Sequence, residues 1–224
     1  MANKRFLILD TESNGVATDA EVWQIAWQIT DCHFQTIKVG GGYLTPIDRM
    51  RPKAKDITGL DRKTLKKVAE PADDLYERLV KDLRGCKAVI GHSIDMDILR
   101  LTADAKRRCS GDVSGRVITA LNAMPQYDTM AHTIRFVGKV IYKDIWFRGH
   151  YVLLSKRAFP SLEELAAKLK VERQGIKLHS ADGDVELTRR CMAAMKQSHR
   201  ELLEDLIAGD IINPSKYYNW VPCR

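Results

Sequence analysis

The sequence predicts an α/β protein: a mixed β-sheet, opened by three meandering strands and continued by alternating helix and strand, with helices on its flanks. Three observations carry this. An apolar run, Phe6-Leu7-Ile8-Leu9, leads straight into Asp10-Thr11-Glu12; residues 21–30 alternate with a period of two; and leucines recur every four residues at Leu75, Leu79 and Leu83. The first two mark strands and the third an amphipathic helix. A strand meander followed by helix, strand and helix makes a mixed sheet covered by helices.

The first strand is expected over residues 5–12. In the second, Trp23, Ile25, Trp27 and Ile29 alternate with Gln24, Ala26, Gln28 and Thr30. The third covers roughly residues 36–44. Its Gly40-Gly41-Gly42 triplet reads as a bulge or bend, because no helix with Lys-Ser or Lys-Thr follows to make it a phosphate loop. Asp61 is the N-cap expected for a helix over residues 62–69. Pro71 is tolerated in a first turn and opens the Leu75, Leu79, Leu83 helix, which Gly85 stops.

Lys87-Ala88-Val89-Ile90 is a short apolar strand that passes through Gly91 and His92 into a helix carrying Ile94, Ile98, Leu99 and Leu101. Residues 110–126, with Gly111, Gly115 and Pro125, read as irregular. Residues 136–159 are rich in aromatic and basic side chains and read as a β-hairpin insertion, turning near Arg148-Gly149 with its aromatics packed on the core. A platform on which unpaired bases stack is the alternative for that segment. Ser161 and Glu164 form a capping box ahead of Leu162, Leu165 and Leu169. One long helix is expected over residues 181–208. The reading is of one domain over 1–209, with a tail at 210–224 whose Tyr217-Tyr218-Asn219-Trp220 docks on that domain or on a polymerase.

At 224 residues the chain can bury a sizeable core in one domain. Its five cysteines are odd in number and scattered, with no C-x-x-C spacing. That argues for reduced thiols in an intracellular compartment, cytoplasmic or nuclear, and against a disulfide framework or a cysteine zinc site. The N-terminal apolar run is interrupted by Asp10 too soon for a signal peptide or a membrane span. The net charge is +7, with basic residues concentrated at 49–67, 106–116, 139–157 and 168–177. A basic surface around an acidic pocket attracts a polyanion, although excess lysine also serves ordinary solvation.

The acidic pocket begins with Asp10 and Glu12, which alternate onto one face of the first strand. Carboxylates that close repel each other, and a divalent cation between them keeps both ionised. Two further acidic pairs lie at helix entrances, Asp95 with Asp97 and Asp182 with Asp184. Residues two apart on a helix diverge by about 200°, so one of each pair can face a site. His179 precedes the second pair, where a base could stand beside a metal ligand.

In order along the chain stand Phe6 to Glu12, then Gly91-His92-Ser93-Ile94-Asp95-Met96-Asp97 running on to Leu101, then Tyr127-Asp128-Thr129, then His179-Ser180-Ala181-Asp182-Gly183-Asp184. This ordered set resembles the three exonuclease motifs of the DEDDh 3′→5′ exonucleases, the superfamily of polymerase proofreading subunits, RNase T and oligoribonuclease. The resemblance spans about residues 5–195 and implies an RNase H-like mixed five-stranded sheet flanked by helices. It also selects among the acidic pairs. Asp10 and Glu12 match the first motif, and Asp97, which follows the bulky Met96 and precedes x-x-x-Leu101, matches the second in place of Asp95. Asp184 and His179 match the last, in place of Asp182. The chain departs from the family pattern at Ser93, often Asn, and at Met96, often Phe, positions that bind no metal.

The resemblance implies an enzyme hydrolysing phosphodiester bonds from the 3′ end of single-stranded DNA or RNA, releasing nucleoside 5′-monophosphates. Two Mg²⁺ or Mn²⁺ ions are implied, with Asp10 shared by both, Glu12 and Asp184 on the nucleophile side, and Asp97 supporting the second. Hard cations want oxygen ligands, which suits four carboxylates. His179 would be the general base, an imidazole whose ordinary pKa lies near working pH. Thr11, Ser13 and Asn14 are placed to contact the terminal nucleotide; for Ser13 and Asn14 a plain turn before Gly15 is the alternative. A polymerase or a second copy of the chain is a candidate partner, and no membrane is. Two other readings stand beside this one: a nucleic-acid-binding module on the same fold with reduced catalysis, and an endonuclease or transposase-like enzyme, which the His179 and Asp184 pairing disfavours.

Overall fold

The computed structural model describes residues 4–47, 55, 59, 61–147 and 150–208, and within 143–156 the backbone alone. Five strands, β1 (Arg5–Ser13), β2 (Val22–Thr30), β3 (Thr36–Tyr43), β4 (Cys86–Gly91) and β5 (Gln126–Asp128), form one sheet in the order β3-β2-β1-β4-β5. The first three are antiparallel neighbours, whereas β1, β4 and β5 run parallel. Parallel neighbours need a crossover. Helices α1 (Arg62–Val68) and α2 (Ala72–Leu83) supply it before β4, and α3 (Ile94–Arg108) and α4 (Gly111–Ala123) before β5.

Each face of β1 has its own cover. Leu7 and Leu9 join Ile25, Trp27 and Ile29 in a core closed by Leu75 and Leu79 of α2, Ile98 and Leu101 of α3, and Val117 and Leu121 of α4. Phe6 and Ile8 join Ala26, Ile90 and Tyr127 under the long C-terminal helix Ala181–Ser198, whose Ala181, Val185 and Met192 complete the second core. The expected five-stranded sheet flanked by helices is thus the observed one.

Several sequence expectations change in detail. The period-two alternation of β2 separates two layers rather than core from solvent, since every residue from Val22 to Thr30 is buried. Nor is the glycine triplet of β3 a bulge. Gly40, Gly41 and Gly42 keep regular register with Trp27, Ala26 and Ile25. The glycine at position 40 is needed because the Trp27 indole lies where a Cβ would be. Residues 110–126 are not irregular but contain α4. Its Val113, Val117 and Leu121 recur at four-residue spacing and are buried, while Gly111 and Gly115 face solvent. Burial of that stripe outweighs a helix cost of about 1 kcal/mol per glycine.

Beyond β5 come the short helices α5 (Thr129–His132) and α6 (Ile134–Val137). The hairpin follows as β6 (Val140–Phe147) and β7 (His150–Arg157), a separate two-stranded antiparallel sheet whose register runs from Val140 opposite Arg157 to Phe147 opposite His150. The expected turn at Arg148-Gly149 and the side chains of Trp146, Phe147 and Tyr151 lie outside the described residues, but Tyr142 is two-thirds exposed and not on the core. Ala158 N–H donates to the Lys139 carbonyl (2.9 Å), and Lys139 pairs with Glu164, closing the base of the hairpin.

Ser161 caps α7 (Leu162–Lys168) with the capping box expected. The long helix expected to Ala208 is three pieces: α8 (Ala181–Ser198), a 3₁₀ turn over Arg200–Leu203, and α9 (Glu204–Ala208). The break at His199 turns Leu203 and Leu206 back into the core beside Phe6 and Met195. Among the described residues no helix is long and apolar enough to cross a membrane. The tail at 210–224 lies outside the described residues.

Candidate active site

Parallel β4 pairs with β1 only as far as Ile8. Past that point β1 runs on beside β2 alone, and Asp10, Thr11 and Glu12 extend into the crevice at the ends of the parallel strands. Crevices of this kind are where open α/β sheets bind ligands. Asp10 and Glu12 continue the row of Phe6 and Ile8 and so face α8, while Thr11 continues the row of Leu7 and Leu9 and faces α3.

α8 brings the third carboxylate. Its N-cap Ser180 accepts the Gly183 N–H and donates to the Lys177 carbonyl, and a Cβ on Gly183 would overlap that carbonyl. This tight first turn delivers Asp184 so that one oxygen from each of Asp10, Glu12 and Asp184 lies within 4.8 Å of the others. The fourth, Asp97, arrives in the first turn of α3 and accepts the Thr11 hydroxyl (2.6 Å). It stands outside the tight trio but within reach of its charge.

Crowding shows in the protonation equilibria. Burial, then the charges of Asp97, Asp184 and Glu12, push the Asp10 carboxyl well above the usual range, with Arg100 pulling the other way. Burial and Asp184 raise Glu12 to about 7. Burial raises Asp97 to about 7 against the opposing Thr11 bond and the Arg100 charge. Asp184 is raised by burial to about 6, eased by the charge and backbone N–H of His179. Four carboxyl groups that cannot all ionise unaided, offering only oxygen, suit a hard divalent cation.

The remaining predicted residues lie around the trio, with Thr11 and Asn14 buried. His179 is exposed and held in left-handed backbone (φ 57°) directly before the cap of α8. It borders a cavity of about 340 Å³ shared with Gln24, Tyr43, Lys177 and Asp182. Ser13, the last residue of β1, donates to the Gly15 carbonyl (2.9 Å), and the Asn14 N–H donates to the Glu21 carbonyl (2.8 Å), so their bonds shape the turn that leaves β1. Thr11, expected to meet the nucleotide, donates its hydroxyl to Asp97 on the face of β1 away from the trio. Asp95 accepts the N–H of Met96, next to it in sequence, and Asp182 accepts from Gln24 of β2.

Three neighbours of the site were given no role from sequence, although Asp128 stands in one of the motif segments. Arg100, one turn beyond Asp97, donates from Nε to Ala17 O and from Nη2 to Val16 O, both at 3.3 Å. A cation at this spacing from a ligand was the available signal. Asp128 is fully buried and accepts the Ser93 and Met130 N–H groups (both 2.9 Å), tying the end of β5 to the entrance of α3. Burial lifts its carboxyl to about 6. Gln24 is the third, a polar residue in an apolar strand.

By sequence the chain matches no protein family and no curated protein. By fold it is similar to solved structures of exonuclease I. One, described as suggesting how processivity is achieved, superposes with a TM-score of 0.70 at 18% identity, covering 92% of this chain and 43% of the other. Another, E. coli exonuclease I in complex with a 5cy-dT13 oligonucleotide, gives 0.65 at 17% identity over 92% and 43%. A product-bound exonuclease I gives 0.65 at 18% identity over 92% and 46%. The chain therefore spans less than half the length of these structures. It has the RNase H-like exonuclease fold, with an acidic cluster at the end of its central strand.

Proposed function

We propose that the chain is a divalent-metal-dependent 3′→5′ exonuclease acting on single-stranded nucleic acid, DNA in the first instance. The observation that carries this reading is the trio Asp10, Glu12 and Asp184, within 4.8 Å at the open end of the central strand, with Asp97 beside it. The similar structures add support: exonuclease I is described with dT13 and dA16 oligonucleotides and, in the E. coli single-stranded DNA complex, with zinc.

Asp10, Glu12 and Asp184 would hold one Mg²⁺ or Mn²⁺ ion, and Asp10 with Asp97 a second. Such ions supply a nucleophile at neutral pH and stabilise charge on the attacked phosphate and the leaving 3′-oxygen. The chain's own residues do the rest. His179, at the rim beside Asp184, accepts the proton of the attacking water, and the Asp184 charge steadies the imidazolium that results. Thr11 orients Asp97, and the carboxyl groups, raised by burial and mutual repulsion, mark a site where positive charge would be stabilised. Arg100, with two of its five N–H donors on the 16–17 loop, presents positive charge where a phosphate strand enters. The products are a nucleoside 5′-monophosphate and a strand one residue shorter.

The test is a 5′-labelled strand, DNA or RNA, single or duplex, incubated with Mg²⁺ or Mn²⁺. The expected result is a ladder that shortens from the 3′ end of single-stranded DNA and stops with EDTA or with Asp184→Ala. No degradation of any linear strand would overturn the proposal.

A further inference from the structure

Gln24 stands directly across from Glu12 in the β1–β2 ladder. Opposed residues of an antiparallel pair share a face, so its side chain leaves the sheet beside Glu12 and runs under the start of α8. It is 1% exposed and bonded at both ends of its amide. Oε1 accepts the Ala181 N–H (3.3 Å), and Nε2 donates to Asp182 Oδ2 (2.7 Å) and to Tyr43 Oη (3.3 Å).

Ala181 and Asp182 are the first two residues of α8, between His179 and Asp184. The segment is stiff, because Ser180 joins the Lys177 carbonyl to the Gly183 N–H and Gly183 leaves no room for a Cβ. A stiff turn moves as one body, so what fixes Ala181 and Asp182 also fixes His179 and Asp184. A second rung, Gln28 Nε2 to Glu186 Oε2 (3.2 Å), lies one turn further along α8 and shares its carboxylate with Arg189 and Arg190. Gln24 holds the end nearer the site.

We propose that Gln24 is a positioning residue: by pinning the first turn of α8 to the strand position facing Glu12, it sets the spacing of Asp184 and His179 against Asp10 and Glu12. The inference deepens the exonuclease reading and rests on it for its catalytic readout. An amide is required because one end must accept and the other donate. Groups that orient metal ligands from behind typically change affinity or activity by about 10–100-fold when altered, and a misplacement of about 1 Å can cost about 10²-fold in rate.

Reversing the polarity of the bond tests this. Gln24→Glu still accepts from Ala181 but sets a carboxylate against that of Asp182. Asp182→Asn alone keeps the bond, since its amide can turn an oxygen toward Gln24. In the double variant the new amide at 182 donates to the new carboxylate at 24, restoring a donor opposite an acceptor. Each protein is titrated with Mn²⁺ by calorimetry without any strand, and kcat and KM are measured on single-stranded DNA. Gln24→Glu is expected to weaken Mn²⁺ binding about 10-fold and lower kcat up to about 100-fold with little change in KM. The double variant is expected to return to the level of Asp182→Asn. Unchanged Mn²⁺ affinity in Gln24→Glu, or a double variant as impaired as Gln24→Glu, would overturn the proposal. A wild-type protein that binds Mn²⁺ but cuts no strand would overturn the exonuclease reading instead, and the Mn²⁺ affinities would still decide the role of Gln24.

Discussion

Thr11 donates its hydroxyl to Asp97 across 2.6 Å, joining the strand residue between Asp10 and Glu12 to a helix on the opposite side of the sheet. One strand thereby serves both faces: its odd position holds Asp97 and its even positions supply two carboxylates directly. Without that bond the Asp97 carboxyl, already near 7, would rise further, because the hydroxyl favours the ionised form. Thr11→Val keeps the shape and removes the donor. Mn²⁺ titrations between about pH 6 and 8 should show the variant needing a higher pH for the same affinity, since its ligand gives up its proton later. Identical pH curves for the two proteins would show that the bond does not tune Asp97.

Stability should depend on pH in an unusual direction when no divalent ion is present. Glu12 and Asp97 rise to about 7 in the folded protein, Asp184 to about 6, and Asp10 also rises. Between the ordinary carboxylate range and these values the folded state binds more protons than the unfolded one. The slope of stability with pH is then negative, so their contribution is full below about 4 and is lost as pH rises to about 7. Thermal midpoints in EDTA should fall across that window relative to a variant with Asp10 and Glu12 replaced by Asn and Gln. Saturating Mg²⁺ should recover the loss at the upper end.

The fold was legible wherever a pattern was local. Period-two alternation gave β2, the Leu75, Leu79 and Leu83 spacing gave α2, and the Ser161–Glu164 box gave the start of α7. α4 was missed because Gly111 and Gly115 argue locally for a loop. What makes that segment helical is non-local, namely Val113, Val117 and Leu121 packing on helices that the chain reaches only after folding. The site divides in the same way. Asp10 and Glu12 could be read from strand alternation, but Gln24 owes its place to α8, 157 residues away from it in sequence. Thr11 was read with Ser13 and Asn14 as a nucleotide contact, whereas its hydroxyl bond to Asp97 depends on α3, 86 residues away in sequence.

Arg100 should matter for strand affinity in its own right, beyond its lowering of the Asp10, Glu12 and Asp97 carboxyl groups. It hangs by two 3.3 Å bonds on the carbonyls of Val16 and Ala17, beside a loop whose Val16 is fully in solvent reach. Fluorescence anisotropy of a labelled single strand, with EDTA present to stop cleavage, should show Arg100→Ala binding more weakly. Its salt dependence should be shallower by roughly 0.7 in log–log slope, the loss expected for one phosphate contact on a single strand. Arg100→Lys should keep the slope. An unchanged slope in Arg100→Ala would remove Arg100 from the strand path.

His179 offers a separation between proton transfer and metal holding. Its backbone N–H bonds Asp184 whatever its side chain, and its left-handed backbone tolerates Asn better than Ala. His179→Asn should therefore lower kcat by about 10²–10⁴-fold while leaving Mn²⁺ affinity close to that of the wild type. Asp184→Asn should lower both. Parallel loss of turnover and Mn²⁺ affinity in His179→Asn would assign the residue a supporting role instead.

The unequal anchoring of the carboxylates has a dynamic consequence. Asp10 and Glu12 ride on a strand locked to β2, all nine of whose residues are buried, whereas Asp184 rides on a helix start held by the packing of Ala181 and Val185 and by side-chain bonds, with no backbone ladder to the sheet. Native-state hydrogen exchange should resolve the two halves, with amides of β1 exchanging only through global unfolding and those around 177–184 through a local opening. The site then behaves as a vice with one fixed jaw and one hinged jaw. On that behaviour, entry and exit would be timed by the hinged side, and a small molecule wedged between Gln24 and the start of α8 would hold that side open without touching any of the four carboxylates.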